Sequence, residues 1–399
     1  MKLWAGQTIS EIGTRISREG IPLTAVIVLS ASPVEMSWLI AIGGVAALIA
    51  GPLAGTLSDR SHRKPLMIVA DLGRALALAA VPWAYFNGWL SIPLLLGVAA
   101  VVGALTVLFD VAYPTYVPTL VNPGQLLEAN RNLALTISIA EVTGPAFTGL
   151  LIKLVTAPVA ILVDAASFIL SALSIAWIAQ PEPAPVPPIQ AQGWWREATE
   201  GVGFVFAHPL LRPLALRTAT VSVAWGFFGT LYVYYAIEVL EMSTVALGIV
   251  IALGGVGNLI GALIAPRVTA RYPLGKVLIA SAVWLGLTSL FIPLASEPGW
   301  FSIACLGAAQ LFGDVAHPIL AINELTLRQK VSPPLMLGRV NACFQLLFKA
   351  LFPPGAILGG GLAVWIGARQ TLLICSLGIL ASALWLFFSP VRKLRDHQG

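Results

Sequence analysis

Long hydrophobic runs separated by short polar connections dominate the pattern along this chain. An α-helix needs about 20 predominantly apolar residues to cross a bilayer. We predict twelve such helices, six on either side of the proline-rich segment PEPAPVPP. The predicted spans are 3–29, 36–57, 65–86, 92–113, 129–152 and 157–179, and then 214–238, 244–266, 275–296, 300–323, 340–364 and 370–389.

The same pattern divides the chain into three parts. Residues 1–180 are a predicted N-terminal six-helix bundle and residues 214–399 a predicted C-terminal six-helix bundle. Between them, residues 181–213 combine the prolines, which favour an extended linker, with an amphipathic segment, WWREATEGVGFVFAH, that suits a membrane interface. We therefore predict an all-α membrane protein whose two helix bundles are joined by a cytoplasmic linker.

Composition and charge agree with this prediction. Of the 399 residues, 58% are hydrophobic and 10% charged, which excludes a soluble globular protein. The net charge of +5 would suggest a nucleic-acid partner in a soluble protein. Here most of the 23 Lys and Arg residues fall on one side of the predicted spans, with Lys153 and Arg369 on the other. Orientation explains this bias, so we predict no nucleic-acid partner, a bacterial inner-membrane location and cytoplasmic termini.

The chain lacks the sequence motifs of several classes of enzyme and ATP-binding protein. It contains no G-x-x-x-x-G-K-[ST] loop for ATP, no H-E-x-x-H and no G-x-S-x-G. The three cysteines, Cys305, Cys343 and Cys375, lie in apolar runs and are odd in number, which does not support a disulfide framework. We therefore predict that the protein is not an enzyme and holds neither a cofactor nor a metal ion.

Segments of the two halves match at nearly constant offsets. Duplicated transporter folds show such matches, and they predict two parallel six-helix copies. The segment GALTVLFDVAYP at 103–114 matches GAAQLFGDVAHP at 307–318, at offset 204. Gly51 and Gly55 match Gly257 and Gly261, at offset 206. Further matches, at offsets of 210 and 211, pair Pro123, Asn130 and Gly149 with Pro333, Asn341 and Gly360.

The stretch GPLAGTLSDRSHRK at 51–64 is the most distinctive of the polar connections. Two glycines four residues apart predict a groove that another helix can approach closely. The acid and bases that follow indicate a short cytoplasmic loop, and a plain basic loop is the alternative interpretation. At offset 206, Asp59 falls on Ala265. We therefore expect the glycine groove in both halves and the acid in the first half alone.

The six-plus-six organisation and the G-x-x-x-D-R-x-x-R-K motif resemble the major facilitator superfamily. More narrowly, the chain is similar to the branch that includes the enterobactin exporter and the macrolide efflux proteins. The motif residues are Gly55, Asp59, Arg60, Arg63 and Lys64, and the narrower resemblance rests on LWAGQTIS at 3–10, DAASFILSAL at 164–173, EGVGFVFAHPLLRPL at 200–214, NELTLRQ at 323–329 and GRVNA at 338–342.

The resemblance implies a secondary transporter that exports a bulky amphipathic organic solute, such as a drug or a siderophore, by proton antiport with alternating access. Its partners would be the solute, protons and the lipid bilayer, and it would act as a monomer. The antiporter-associated pattern G-P-x-x-x-G is present at Gly144, Pro145 and Gly149. The chain departs from drug antiporters in having no basic residue in its predicted fourth span. Two other classes stay open, namely a uniporter or lipid translocator on the same fold and a non-transporting receptor or assembly protein.

Ionisable residues within a span are costly and mark functional sites. In the first span, Glu11 and Arg15, with Arg18 and Glu19, are spaced for pairs along one helix face. This ladder either lines a central cavity or begins the helix at the interface. Glu141 has no basic residue three or four positions away. We therefore predict that it is unpaired and that it binds and releases a proton during transport, and Glu11 is the other leading candidate for this role.

Further candidates occur in both halves. Asp110 and Asp314 are duplicated acids, predicted near the inner ends of their spans, where they form either a structural contact between halves or a gate. His317 titrates near neutral pH and either relays protons or packs through hydrogen bonds. Asp71 and Arg74 are one turn apart and are predicted to pair with each other and with the Asp59 loop, while Asp164 is expected in helix packing.

The predicted substrate cavity involves the seventh span, which is crowded with aromatic residues. Stacked aromatic rings with hydroxyl groups suit amphipathic solutes, and packing against lipid is the alternative. Arg217 and Lys349 would attract an anionic or acidic solute, or else extend to the inner surface. The cavity candidates are Trp225, Phe228, Tyr232, Arg217 and Lys349, from a group that also contains Phe227, Tyr234 and Tyr235.

Overall fold

The computed structural model describes the backbone of residues 2–120, 126–180, 182, 194–333 and 336–394. Within these ranges, the side chains of residues 2, 3, 5, 59, 60, 115, 126–135 and 194–198 lie outside the described part. The prolines at 183–188 and the repeat residues Pro123 and Asn130 therefore fall, wholly or in their side chains, beyond what is described.

The described residues form α-helices and no strands. Two short helical turns follow longer helices, a π-helical turn at Tyr235–Val239 and a 3-10 turn at Pro390–Lys393. The α-helices are α1 (Lys2–Leu29), α2 (Pro33–Arg60), α3 (Arg63–Phe86), α4 (Ile92–Leu120), α5 (Leu126–Val155), α6 (Ala157–Ala176), α7 (Trp194–Ala207), α8 (Leu211–Tyr234), α9 (Thr244–Arg271), α10 (Leu274–Ser289), α11 (Phe291–Leu294), α12 (Trp300–Val331), α13 (Leu337–Ile366) and α14 (Ala368–Phe387).

Within the described residues, eleven helical segments are long and apolar enough to cross a membrane. They include eleven of the twelve predicted spans, whereas α1 carries four charged residues in its middle and does not qualify by composition. The helix α1 nevertheless packs along α6 and α5 over much of its length. The count of twelve spans therefore stays a prediction.

Several helices are longer than their hydrophobic runs. The predicted fourth and tenth spans stop at 113 and 323, whereas α4 continues to Leu120 and α12 to Val331. Polar residues end a hydrophobic run but do not end the backbone hydrogen-bond ladder of a helix. Hydropathy thus marks where a helix leaves the apolar layer and not where it terminates.

Glycines set the close packing of α1 against α6. Gly6, Gly13 and Gly20 are spaced seven residues apart and face α6. A Cβ atom added at Gly13 would lie 2.2 Å from Ser167 Oγ, and one at Gly20 would lie 3.2 Å from Ile161 Cγ1. Small residues at this spacing let two helices approach closely inside a membrane, which explains why the charged helix α1 stays against α6.

Three pairs of corresponding helices in the two halves repeat at one offset. The helix α9 begins and ends 211 residues after α2, and α13 and α14 stand in the same relation to α5 and α6. Thr156 before α6 and Gly367 before α14 even share one backbone conformation, with φ of 91° and 88°. This regularity confirms the duplication. The helices of the two halves correspond at offset 211, and not at the offsets of 204 and 206 found in the first two sequence matches.

The single offset corrects the predicted equivalence of the two glycine pairs. At offset 211, Gly51 corresponds to Ala262 and not to Gly257. An added Cβ atom at Gly257 or Gly261 would meet a carbonyl oxygen of α12 within 2.3 Å, whereas none at Gly51 or Gly55 would meet a described atom within 4 Å. The predicted groove is thus a packing site on α9 alone, because the matched letters occupy different turns of the two helices.

Contacts among the residues group the chain into two compact units. The first comprises Met1–Ile189 and Ser243–Ala252, and the second comprises Gln190–Met242 and Leu253–Gly399. The beginning of α9, up to Ala252, therefore belongs to the first unit, and the rest of α9 belongs to the second. The predicted boundaries at 180 and 214 stay predictions.

Candidate functional site

The connection between α2 and α3 consists of Ser61 and His62. The carboxylate of Glu182 accepts hydrogen bonds from the first two backbone N–H groups of α3, those of Arg63 at 2.7 Å and Lys64 at 3.1 Å. The Arg63 guanidinium adds an ion pair with the same carboxylate at 3.3 Å. An acid at a helix N-terminus satisfies unpaired N–H groups and interacts favourably with the helix dipole.

Lys64 attaches the same loop to the end of α6. Its ammonium group donates to the carbonyl oxygens of Ala176 at 3.0 Å and Ile178 at 2.6 Å. Two of the motif bases thus bind the chain that follows α6, through contacts within the first unit. The side chains of Asp59 and Arg60 lie outside the described residues, so the gating role of this motif stays a prediction.

The side chains of Arg15 and Glu141 meet inside the first unit, and this overturns the prediction that Glu141 is unpaired. Arg15 Nη2 donates to Glu141 Oε1 at 3.4 Å. The predicted pairs of Arg15 along α1 are absent among the described residues, where its ion pair is with α5. Spacing along one helix cannot reveal a partner on another helix, which is why the sequence-based expectation was wrong.

The antiporter-associated residues make this ion pair possible. A Cβ atom added at Gly144 would lie 2.6 Å from the Arg15 Cβ, so the missing side chain leaves room for Arg15 to lie across α5. Pro145 has no N–H group, and the carbonyl of Glu141 therefore loses its donor in the helix. Gly144 and Pro145 thus shape the surroundings of Glu141.

Charges from four helices surround Glu11. Arg15 on α1, Asp110 on α4, Arg74 on α3 and Glu141 on α5 all act electrostatically on its carboxylate. Glu11 is half-buried, and Asp110 is exposed. The structure therefore brings together the first-half candidates, Glu11, Arg15, Asp110 and Glu141, in one cluster of three acids and one base.

The guanidinium of Arg74 has an acidic partner and two aromatic neighbours. It donates to Asp71 Oδ1 at 2.5 Å and lies over the rings of Phe109 and Phe168, with 4.7 and 4.1 Å to their centroids. The predicted pairing of Asp71 with Arg74 is confirmed. Asp164 accepts from Ser167 Oγ at 3.0 Å and faces Gly13, which places it in helix packing as expected.

The last antiporter-associated glycine lies at a crossing of α5 with the start of α9, within the first unit. Thr244 Oγ1 donates to the Gly149 carbonyl at 3.1 Å. A Cβ atom at Gly149 would lie 2.3 Å from the Thr244 carbonyl oxygen, and one at Gly248 would lie 2.4 Å from that of Pro145. Glycine at both positions is required for this approach.

In the second unit, the aromatic residues of α8 divide into two groups. Trp225, Phe228 and Tyr232 form a continuous ladder, with centroid distances of 5.0 and 4.5 Å, and Tyr232 OH accepts from Gln310 Nε2 at 3.1 Å. Phe227 instead packs against Gly359. Tyr235 is buried and donates to the Ala295 carbonyl, so it has a packing role.

Two cavities adjoin Trp225. A small one of about 40 Å³ is lined by the ladder residues Trp225 and Phe228 and by Gln310 and Asp314. Asp314 lies near the middle of α12, against Gly254, whereas Asp110 lies closer to the C-terminal end of α4. The two acids therefore lie at different positions along their helices, because they are 204 residues apart in sequence whereas α4 and α12 end 211 residues apart.

The second cavity measures about 330 Å³ and opens between α8, α12 and α13. Arg217 binds Glu324 through Nε and Nη2, each 2.6 Å from Oε1, and both residues are buried. Arg328 lies over the Phe344 ring at 4.5 Å. Lys349 and His317 also line this cavity. Four of the second-half candidates therefore share one cavity: Trp225, Arg217, His317 and Lys349.

Sequence reasoning missed Glu182, Glu324, Arg328 and Phe344. Glu182 follows soon after a predicted span, and an acidic residue within the proline-rich segment is the sequence feature that could have identified it. Glu324 and Arg328 belong to NELTLRQ, a stretch on which the family resemblance rests. Their placement in a cavity depends on helix rotation, which the linear pattern does not contain.

The profile of the Major Facilitator Superfamily matches residues 3–353. The chain belongs to the major facilitator superfamily. The family accounts for the repeated six-helix pattern, identifies the chain as a membrane transporter and confirms that it is not an enzyme.

Relatives within the superfamily include efflux pumps. The chain is 30% identical to the uncharacterized MFS-type transporter y4rN of Sinorhizobium fredii, over 82% of this chain and 80% of y4rN. It is 27% identical to the multidrug efflux pump Tap of Mycobacterium tuberculosis, over 96% and 88% of the two chains. It is 23% identical to macrolide efflux protein A of Streptococcus pyogenes, over 98% and 96%. The predicted resemblance to the macrolide efflux branch is thereby confirmed.

A solved superfamily structure shares the fold. A bacterial homologue of the iron transporter ferroportin, in an inward-facing state, superimposes with a TM-score of 0.78 at 15% identity and covers 97% of each chain. At this identity the likeness concerns the fold and not the transported compound.

Proposed function

We propose that this superfamily transporter exports a bulky amphipathic organic solute by proton antiport. The observation that carries the proposal is the Arg15–Glu141 ion pair at Gly144 and Pro145, within an acid-rich cluster on helices of the first unit. The names of the efflux relatives, Tap and macrolide efflux protein A, support the direction and the kind of solute.

The proton step follows from the chemistry of the cluster. Protonation of Glu141 removes its negative charge and weakens the ion pair with Arg15, since the attraction is lost. Arg15 then turns to the acids nearest to it, and Glu11 is the one on its own helix face. Binding of a proton and rearrangement of α1 against α5 are coupled in this way, which antiport requires.

In this proposal, alternating access depends on the loop between α2 and α3. Gly55, Asp59, Arg60, Arg63 and Lys64 form the gating motif, and a charge change at Asp59 alters how the loop is held. The attachment of Arg63 and Lys64 to Glu182 and the end of α6 supports a firm anchor on one side of the gate. Asp59→Asn is expected to impair transport while the anchor contacts persist.

The test is transport in proteoliposomes with an imposed pH gradient and a labelled macrolide or dye as solute. Wild-type protein should accumulate the solute in the direction opposite to proton flow, and Glu141→Gln should abolish the dependence on the gradient. Glu297→Gln, which changes an exposed acid of the second unit, serves as the matched control and should transport normally.

Two results would contradict the proposal. Transport that is unchanged after the gradient is collapsed would indicate a uniporter or lipid translocator. A folded protein that moves no solute from a broad panel would indicate a receptor or assembly role. Arg15→Gln provides a second variant, since it removes the same ion pair without removing the acid.

A further inference from the structure

The larger of the two cavities that adjoin Trp225 has an excess of positive charge in its wall. Arg217, Arg328 and Lys349 line it together with one acid, Glu324. Glu324 forms an ion pair with Arg217, with 2.6 Å between Glu324 Oε1 and Arg217 Nη2. The wall thus contains two further bases whose charges this acid does not neutralise by a direct ion pair.

The two remaining bases are placed differently. Arg328 donates to the Glu324 carbonyl at 3.4 Å and lies over the Phe344 ring, so its position is fixed by the helix and the ring. Lys349 is exposed and forms neither an ion pair nor a side-chain hydrogen bond among the described residues. A cation within a membrane span is costly unless a partner or a water-filled cavity stabilises it.

Apolar groups complete the wall. Trp225, Phe348, Val221 and Leu285 line the same cavity. Its volume of about 330 Å³ lies in the lower part of the range of small-molecule sites, roughly 300 to 1,000 Å³. An aromatic wall beside fixed cations suits a compound with an apolar body and a negatively charged group.

We propose that this cavity binds an organic anion, whose carboxylate, sulfonate or phosphate group lies between Lys349 and Arg328 and whose apolar body packs on Trp225 and Phe348. If the protein exports solutes as proposed above, this organic anion is its substrate class. Glu324 has a positioning role, because it holds Arg217 and limits the excess charge to the two other bases.

The test compares two probes of nearly equal shape, 2-naphthoic acid and 2-naphthamide, by isothermal titration calorimetry on the purified full-length protein. Losing one charge-assisted contact corresponds to about tenfold in affinity. Wild-type protein should therefore bind the acid about tenfold more tightly than the amide. Lys349→Gln should reduce this preference, because Arg328 alone then faces the anionic group, and should leave the affinity for the amide unchanged.

Two control variants separate charge from folding. Lys349→Arg keeps the positive charge and should keep the preference for the acid. Lys276→Gln removes an exposed base of the same unit that does not line the cavity, and it should behave as wild type. Equal binding of acid and amide by wild-type protein, or a full preference in Lys349→Gln, would overturn the inference.

The anionic group can belong to a free solute or to a lipid head group, and reconstitution separates these sources. In phosphatidylcholine nanodiscs, naphthoate binding should match that in detergent if a free solute is the ligand. Competition that appears with phosphatidylglycerol and depends on Lys349 would assign the site to an anionic lipid and would support the charge assignment.

Failure of this inference differs from failure of the proposed function. Proton-coupled export without any preference for the acid would overturn the anion site and leave the exporter intact. Acid-selective binding that depends on Lys349, in a protein that moves no solute, would support the site and contradict the transport proposal.

Discussion

At the residue scale, charged side chains inside the helices have distinct settings. Arg74 is buried, pairs with Asp71 and lies between two aromatic rings. Arg15 has a longer ion pair with Glu141, which is partly exposed. A short, buried pair suits a structural role, and a looser pair that water can reach suits proton exchange.

The Asp71–Arg74 pair makes a direct prediction. Asp71→Asn should lower the free energy of unfolding by about 3 kcal/mol, because removing one partner leaves the other charge buried and uncompensated. The double variant Asp71→Asn with Arg74→Met should be more stable than the single one. Thermal unfolding in detergent measures both, and a double variant with additive losses would contradict the pairing argument.

At the element scale, glycine matters where a helix neighbour occupies the space that a side chain would fill. Gly13, Gly149, Gly248 and Gly261 each face a close neighbour. Gly51 and Gly55 carry the same spacing as Gly257 and Gly261 but face no described atom within 4 Å. Spacing alone therefore does not identify a packed helix pair.

The two glycine pairs provide a matched test. Gly261→Ala should destabilise the protein by about 1 to 3 kcal/mol, as overpacking does, since the added Cβ would lie 2.1 Å from the Val315 carbonyl oxygen. Gly51→Ala should be neutral or stabilise α2 by up to about 1 kcal/mol, because alanine favours helix. Equal unfolding temperatures for the two variants would show that the α9 groove is not a packing site.

At the scale of the whole molecule, the distribution of bases predicts the orientation in the membrane. Lys64, Lys276 and the bases near the end of the chain are assigned to the cytoplasm, and Lys153 and Arg369 to the outside. The three native cysteines are buried, so they should react slowly with a thiol reagent that cannot cross the membrane.

Single introduced cysteines test this orientation. In intact cells, an impermeant maleimide should label Glu297→Cys, whose position is exposed between α11 and α12, and should leave Lys276→Cys unlabelled. Disrupting the membrane should expose both sites to the reagent. Labelling of Lys276→Cys in intact cells would reverse the assigned topology.

The sequence by itself determined the helical membrane fold, the duplication and the superfamily. These depend on hydrophobic runs, repeated segments and the motif around Asp59, all of which are local or periodic properties of the chain. It also predicted the Asp71–Arg74 pair correctly, because both partners lie one turn apart on one helix.

Only the tertiary structure decided the partners that come from different helices. Arg15 binds Glu141, Glu182 binds the start of α3, and Glu324 binds Arg217, in each case across more than a hundred residues of sequence. The side of a helix that faces a neighbour depends on its rotation and depth in the bundle. A shift of about two turns separates Asp110 from Asp314, and a shift of about one and a half turns separates Gly51 from Gly257.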